Sequence, residues 1–363
     1  MKEFNVSRRT VVKMLAVTPA ACMLAGCGSS GSGSQASSGS SKGGTTNIKW
    51  AKDNSGNTFL AIAEKKGWLE EEGITIEEAP FDETKAALTA LAGNQVDVIS
   101  NYGTDGPLQE IATGEDFMII GGYMAQGCMP IIAKAGTKWN GVEDLLGKKV
   151  ACQPTVFPVT GKLLELGHDP LTEVEWVSYP NYSDSVAAVV QGECDYAIVG
   201  TSRNYEVNKN KDLAVMAYKS DIMPYYSCCR MVVKKGYLDS NRDTLVKVMT
   251  QLIRAEEYYS KNHDECVELM KDYMGVELDY VKSYMDNPHF IISNDPLRNA
   301  VINAWDILGK TGFLSDTANS INIDDHIDTT VYEEALKNAT DKYGSEDQDF
   351  YAQRASFFQE HDA

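Results

Sequence analysis

From residue 47 onward, short apolar runs alternate with amphipathic stretches. Ile48–Ala51 predicts a strand. Thr58–Glu72 carries Phe59, Ile62, Ala63 and Leu69 at helical spacing, and Gly73 closes it. Ile74–Ala79 reads as the next strand, Thr84–Ala92 as a helix capped by Gly93, and Val96–Ser100 as a strand. Pro107–Ala112 is a short helix and Met118–Gly121 another strand. A second series starts after Lys134. Val142–Leu146, Val156–Leu166 and Ser183–Gln191 read as helices, and Lys149–Cys152, Val174–Tyr179 and Asp195–Val199 as strands. Strand–helix alternation of this kind predicts an α/β chain with largely parallel sheets. Beyond Arg230-Met231-Val232-Val233 the pattern is helical: Asn241–Lys261, His263–Met270, Asp279–Met285, Pro296–Thr311, Val331–Asn338 and Asp349–Gln359.

One segment recurs. Ala87-Leu88-Thr89-Ala90-Leu91-Ala92-Gly93-Asn94-Gln95-Val96-Asp97-Val98-Ile99 parallels Val186-Ala187-Ala188-Val189-Val190-Gln191-Gly192-Glu193-Cys194-Asp195-Tyr196-Ala197-Ile198. Each is a small-residue helix, a glycine stop, an aspartate and a buried strand running into a polar loop. Two equivalent units predict two similar α/β lobes.

The first 46 residues follow other rules. Arg8-Arg9 precede an apolar run from Met14 to Ala25, too short to span ~30 Å of hydrocarbon. Ser7-Arg8-Arg9-Thr10-Val11-Val12-Lys13 resembles a twin-arginine export signal. Leu24-Ala25-Gly26-Cys27 resembles a bacterial lipobox, which implies residues 1–26 as a cleaved signal and Cys27 as the lipidated N-terminus. The Gly/Ser tract to residue 46 reads as a flexible leash. The remaining body has room for one large or two ordinary domains. The chain carries a net charge of −19, and removing the leader (Lys2, Arg8, Arg9 and Lys13 against Glu3) takes this to about −22. Such acidity argues against nucleic acid, whose backbone needs Lys/Arg stripes. Six cysteines remain after Cys27, with no Cys-x-x-Cys pair, and the five histidines lack metal spacing. No metal or cofactor is expected. Adjacent Cys228 and Cys229 are strained partners for each other, so buried thiols are the default expectation.

Leu60-Ala61-Ile62-Ala63-Glu64-Lys65-Lys66-Gly67-Trp68-Leu69-Glu70-Glu71-Glu72-Gly73 resembles the first helix of periplasmic binding proteins for nitrate, alkanesulfonates, taurine and thiamine-precursor pyrimidines. Residues 87–98, Glu143-Asp144-Leu145-Leu146-Gly147-Lys148-Lys149-Val150, Gly192 with Asp195-Tyr196-Ala197, and Asp243–Lys261 with Asn262-His263-Asp264-Glu265 match as well. The likeness covers roughly residues 47–310. It implies a two-lobe type II periplasmic-binding-protein fold with a ligand cleft. Lobe one would be 47–132 plus 235–363 and lobe two 133–234, with crossings near 131–134 and 231–234. It further implies a monomer that captures one small anionic or zwitterionic metabolite and passes it to an ABC permease and its ATPase.

In open parallel sheets, ligands bind at the carboxyl ends of strands. The loops there are 52–57, 100–103, 122–126, 153–156, 180–183 and 200–203. Candidate ligand contacts are Trp50, Asp53, Asn54, Asn57, Ser100, Asn101, Tyr102, Tyr123, Gln153, Thr155, Val156, Tyr182, Thr201 and Arg203. Arg203 is the leading charged candidate, with Asp53 opposite it for a zwitterion. Asn57, Thr155 and Ser183 equally suit helix caps, and Trp50 and Phe157 equally suit the core. Two other functions compete: a tethered receptor for a sensor, and an enzyme like the fungal pyrimidine synthases. The chain has no Gly-x-Ser-x-Gly or Walker loop, and Cys228-Cys229 departs from the Cys-Cys-Cys-Phe-Cys motif of those synthases.

Overall fold

The computed structural model describes residues 45–362. The export signal, Cys27 and nearly all of the leash lie outside them. Strands are β1 (Thr46–Lys52), β2 (Ile74–Pro80), β3 (Val98–Ile99), β4 (Phe117–Gly122), β5 (Met124–Gln126) and β6 (Pro130–Lys134). They continue with β7 (Lys149–Ala151), β8 (Glu175–Val177), β9 (Tyr196–Ile198), β10 (Leu213–Tyr218), β11 (Arg230–Lys234) and β12 (Ile291–Ile292). Thr46, placed in the leash by composition, is the first residue of β1.

Two five-stranded sheets form, in the orders β2-β1-β3-β11-β4 and β8-β7-β9-β6-β10. They repeat one another in direction as well as order. The first three strands of each are parallel, and the last two pairings are antiparallel. The recurring sequence segment marks the equivalence. Asp97 accepts the Lys49 backbone N–H and donates its own to the Lys49 carbonyl; Asp195 does the same with Lys149. Each aspartate thereby sets the register of its parallel pair, which is why Gly and Asp recur ahead of both strands.

The chain passes between the sheets twice, once from β5 to β6 and once from β10 to β11. Arg230–Lys234, expected to straddle the second crossing, lies wholly within the first sheet, paired with Ile99 and Ile119. Met231, Val232 and Val233 are all buried, so their pattern alone did not say which sheet they join. The expected helix 58–72 is two helices, Thr58–Lys65 and Trp68–Glu71, broken at Gly67, whose φ of 74° suits glycine. The long helix Lys235–Lys261 is kinked at Asn241. Among the described residues no helix is long and apolar enough to cross a membrane.

The larger core lies around the first sheet and the C-terminal helices, and two smaller clusters flank the second. Helix Arg298–Lys310, although part of the larger core, reaches across: Ile307 presses on Gly161 of helix Phe157–Glu165.

Candidate functional site

The loops at the carboxyl ends of β1 and β3 form one hydrogen-bonded block. Ser100 Oγ accepts from Trp50 Nε1–H and from Asn57 Nδ2, each at 3.1 Å. The Asn57 carbonyl oxygen caps the helix Thr58–Lys65 by accepting from Phe59 and Leu60 N–H. Asn101 Nδ2 donates to Asp53 (2.6 Å), Ser55 (3.1 Å) and the Gly56 carbonyl (2.8 Å). Asp53 also accepts from Ser55 and Gly56. Burial pushes the Asp53 carboxyl up to about 6, although these donors pull it down. Tyr102 is buried and donates to the Phe81 carbonyl. Tyr123 is fully buried and bonded to Thr58. Asn54 alone of this group is exposed. Asn101 Oδ1 is buried without a partner among the described residues.

The second sheet presents a different surface. Gln153 is exposed, while Thr155 and Val156 are buried. Val156 occupies the N-cap of Phe157–Glu165, and Asn181 rather than Ser183 caps Tyr182–Gln191. Tyr182 is 44% exposed and its ring lies flush against Gly200. Its hydroxyl responds to Cys152 on its own sheet and to Asp105, Cys228 and Cys229 of the facing loops. Arg203 donates to Ser183 at 2.8 Å and pairs with Glu206 at 3.4 Å, and its buried Nε has no partner among the described residues.

Between the two surfaces sits Lys219, which the sequence had not singled out. It is 7% exposed and follows β10. Its Nζ stands 4.8 Å from the centroid of the Tyr226 ring. No hydrogen bond or ion pair to this ammonium exists among the described residues. Its charge acts on Cys152 and Cys228. Asp105, at the start of helix Asp105–Thr113, biases Cys152 in the opposite sense.

The floor below is tightly built. A Cβ at Gly127 would stand 2.8 Å from both Cys228 Sγ and Thr201 Oγ1, so only glycine fits. Tyr226 donates to the Gly127 carbonyl and packs edge-on against Phe157. At the outer seam a separate depression of about 350 Å³ is lined by Tyr205, Gly275, Val276, Glu277 and Tyr280. None of the sequence-derived candidates lines it. Among the described residues no group of three or more His, Cys, Asp or Glu is placed to hold a metal ion.

The arrangement therefore offers an anionic group one ammonium free of hydrogen bonds and ion pairs among the described residues, Lys219, beside the Tyr226 ring. Of the sequence-derived residues, Asp53 and Asn101 lie in the bonded block of the first sheet, Arg203 is engaged by Ser183 and Glu206, Thr201 lies beside Gly127 and Tyr182 lies against Gly200. Trp50, Asn57 and Tyr123 serve the frame.

Comparison with known structures gives the same architecture. The periplasmic aliphatic sulphonate binding protein SsuA of Escherichia coli aligns with a TM-score of 0.66 at 18% identity, over 79% of this chain and 99% of that one. The periplasmic nitrate-binding protein NrtA of Synechocystis PCC 6803 gives 0.64 at 14% identity, over 81% and 89%. The desulfurization enzyme DszB gives 0.55 at 12% identity, over 81% and 99%. These likenesses establish the two-lobe periplasmic binding protein fold. No curated protein matches by sequence. A family profile described as NMT1/THI5 like matches residues 54–266, more than half of the chain, and the chain belongs to that family.

Proposed function

We propose that the protein is the extracytoplasmic solute-binding component of an ABC importer. It captures a small anionic or zwitterionic metabolite between its lobes and passes it to a permease and ATPase. The observation that carries this reading is Lys219, whose residue is 7% exposed and whose ammonium, 4.8 Å from the Tyr226 ring centroid, makes no hydrogen bond or ion pair among the described residues. The names of the sulphonate- and nitrate-binding relatives describe anionic ligands, which supports the same sign of charge. Lobe closure about the two crossings would bring Tyr182 and Lys219 onto a ligand held against the Asp53–Asn101 wall.

The lipobox reading adds the tether. Lipidated Cys27 and the leash to residue 46 keep the protein near its permease at high effective concentration. Cys27→Ala should move the protein from the membrane to the soluble fraction; retention at the membrane contradicts the anchor.

The functional test is a thermal-shift panel of sulfonates, taurine, nitrate, carboxylates and pyrimidines. A ligand of the native state stabilises it by RT ln(1 + [L]/Kd), about 2.7 kcal/mol at a hundredfold excess over Kd. Stabilisation by an anion, without consumption of it, is the expected result. Turnover of any compound favours the enzyme reading, and absence of any shift across the panel contradicts capture.

A further inference from the structure

The crossing that ends at Arg230 carries Cys228 and Cys229, and anion capture makes no use of their chemistry. Their sulfurs lie 3.8 Å apart, with the Cys229 S–H donating to Cys228. Adjacent residues of an extended strand point to opposite faces. Here Tyr225 and Ser227 hold φ of 47° and 55°, a left-handed conformation uncommon in L residues, immediately before the pair. The backbone is then tied down on β5, Cys228 N–H to the Ala125 carbonyl and Cys229 N–H to the Met124 carbonyl.

Cys228 is electrostatically unlike the other thiols, whereas Cys229 is pushed up by its hydrogen bond to Cys228 and by burial. Cys228 is held below the ordinary thiol range, first by the Cys229 hydrogen bond and then by Lys219 and the Tyr226 hydroxyl. Burial pushes Cys128 and Cys152 the other way. A thiolate is the species that attacks a disulfide.

We propose that Cys228 and Cys229 form a reversible vicinal disulfide by exchange with a small organic disulfide, and that oxidation strengthens the hold of Lys219 on an anion. In the first step the Cys228 thiolate attacks one sulfur of RS–SR. That S–S bond breaks, RS⁻ leaves, and a Cys228 mixed disulfide forms. Cys229 then gives up its proton and attacks the Cys228 sulfur, expelling a second RS⁻. The two protons shed by the protein thiols end on the two RS⁻. Two protein thiols are oxidised and one small disulfide is reduced. A vicinal ring is strained and so easily reduced, which makes the step reversible. Cys228 Sγ and the Tyr226 hydroxyl flank Gly127 together and Lys219 Nζ stands 4.8 Å from that ring, so oxidation of Cys228 changes the charge beside Lys219; this part rests on the anion-capture reading.

The full-length protein is treated with glutathione disulfide, unfolded, alkylated with N-ethylmaleimide and digested with trypsin. The peptide Ser220–Arg230 contains both cysteines and no other. Expected is an unalkylated peptide two hydrogens lighter than the dithiol, which takes up two maleimides after reduction. Cys229→Ser should stop at the Cys228 mixed disulfide, and Cys228→Ser should not react. Double alkylation of the treated wild type, or a persistent glutathione adduct, overturns the disulfide. Thermal shift with ethanesulfonate should be larger in the oxidised protein. An equal shift in both states overturns the coupling alone. No shift in either state overturns the coupling as drawn for a sulfonate, and no shift in either state with every anion of the panel overturns anion capture as well.

Discussion

The two walls of the cleft are built on the same strand order yet treat their polar groups in opposite ways. On the first sheet, Asp53, Ser55, Asn57, Ser100 and Asn101 bond to one another and to backbone, with Asn101 Oδ1 left without a partner among the described residues. On the second, Gln153 and Tyr182 are exposed and the Lys219 ammonium makes no hydrogen bond or ion pair among the described residues. Polar residues that satisfy each other make a rigid frame, and those left unsatisfied are where an outside molecule gains most. A second contrast makes the same point with buried cations. Arg230 is fully buried, but its guanidinium donates to the carbonyls of Asp295, Pro296 and Met124. It holds the chain together, whereas Lys219 holds nothing of the chain.

Mutations on the two walls should therefore separate binding from stability. Lys219→Met should weaken anion binding by about 3 kcal/mol, roughly a hundredfold in Kd, while leaving the melting temperature of the unliganded protein unchanged or higher. Calorimetric titration and a melt of the same sample check both halves. Asn57→Ala should do the reverse: about 1–2 kcal/mol of stability lost with the helix cap, read by urea unfolding, and ligand affinity nearly kept.

Asp53 gives the pH signature of the frame. Its carboxyl ionises at 3.8 when unperturbed and at about 6 in the fold, so between those values the native state binds the extra proton. Stability must fall as pH rises through that window. Glu64, pushed up to about 7 chiefly by burial, contributes with the same sign. Asp53→Asn should flatten the pH dependence of unfolding between about pH 4 and 6 relative to wild type; an unchanged slope there contradicts the burial of Asp53. The smallest effect is expected at Arg203. Its terminal nitrogen is already engaged by Ser183 and Glu206, so Arg203→Ala should change Kd no more than about threefold.

The sequence revealed the framework better than the site. Apolar periodicity placed helix Thr84–Ala92 at its observed bounds, and the Gly-to-Asp repeat pointed to two similar units, in which Asp97 and Asp195 make matching clamps on Lys49 and Lys149. Those features are local, so a one-dimensional pattern carries them. Lys219 was not visible in this way. It follows a strand whose register slips between Val215 and Ala217 and whose middle residues are only half-buried, so it looks like any lysine after an edge strand. The crossing from β10 to β11 brings Tyr226 beside its ammonium. Arg203 drew notice because its loop follows a recognisable strand, yet Ser183 and Glu206 already occupy it. The cysteines show the same limit. Chain position put Cys228 and Cys229 side by side, but the left-handed turns at Tyr225 and Ser227 are set by tertiary packing.

The most direct test of the central claim is the anion panel run in parallel on wild type and Lys219→Met. At least one anion should stabilise the wild type and lose most of that stabilisation in the variant, with the unliganded melts alike. Equal stabilisation of both proteins by every anion would place the recognition elsewhere and contradict the account.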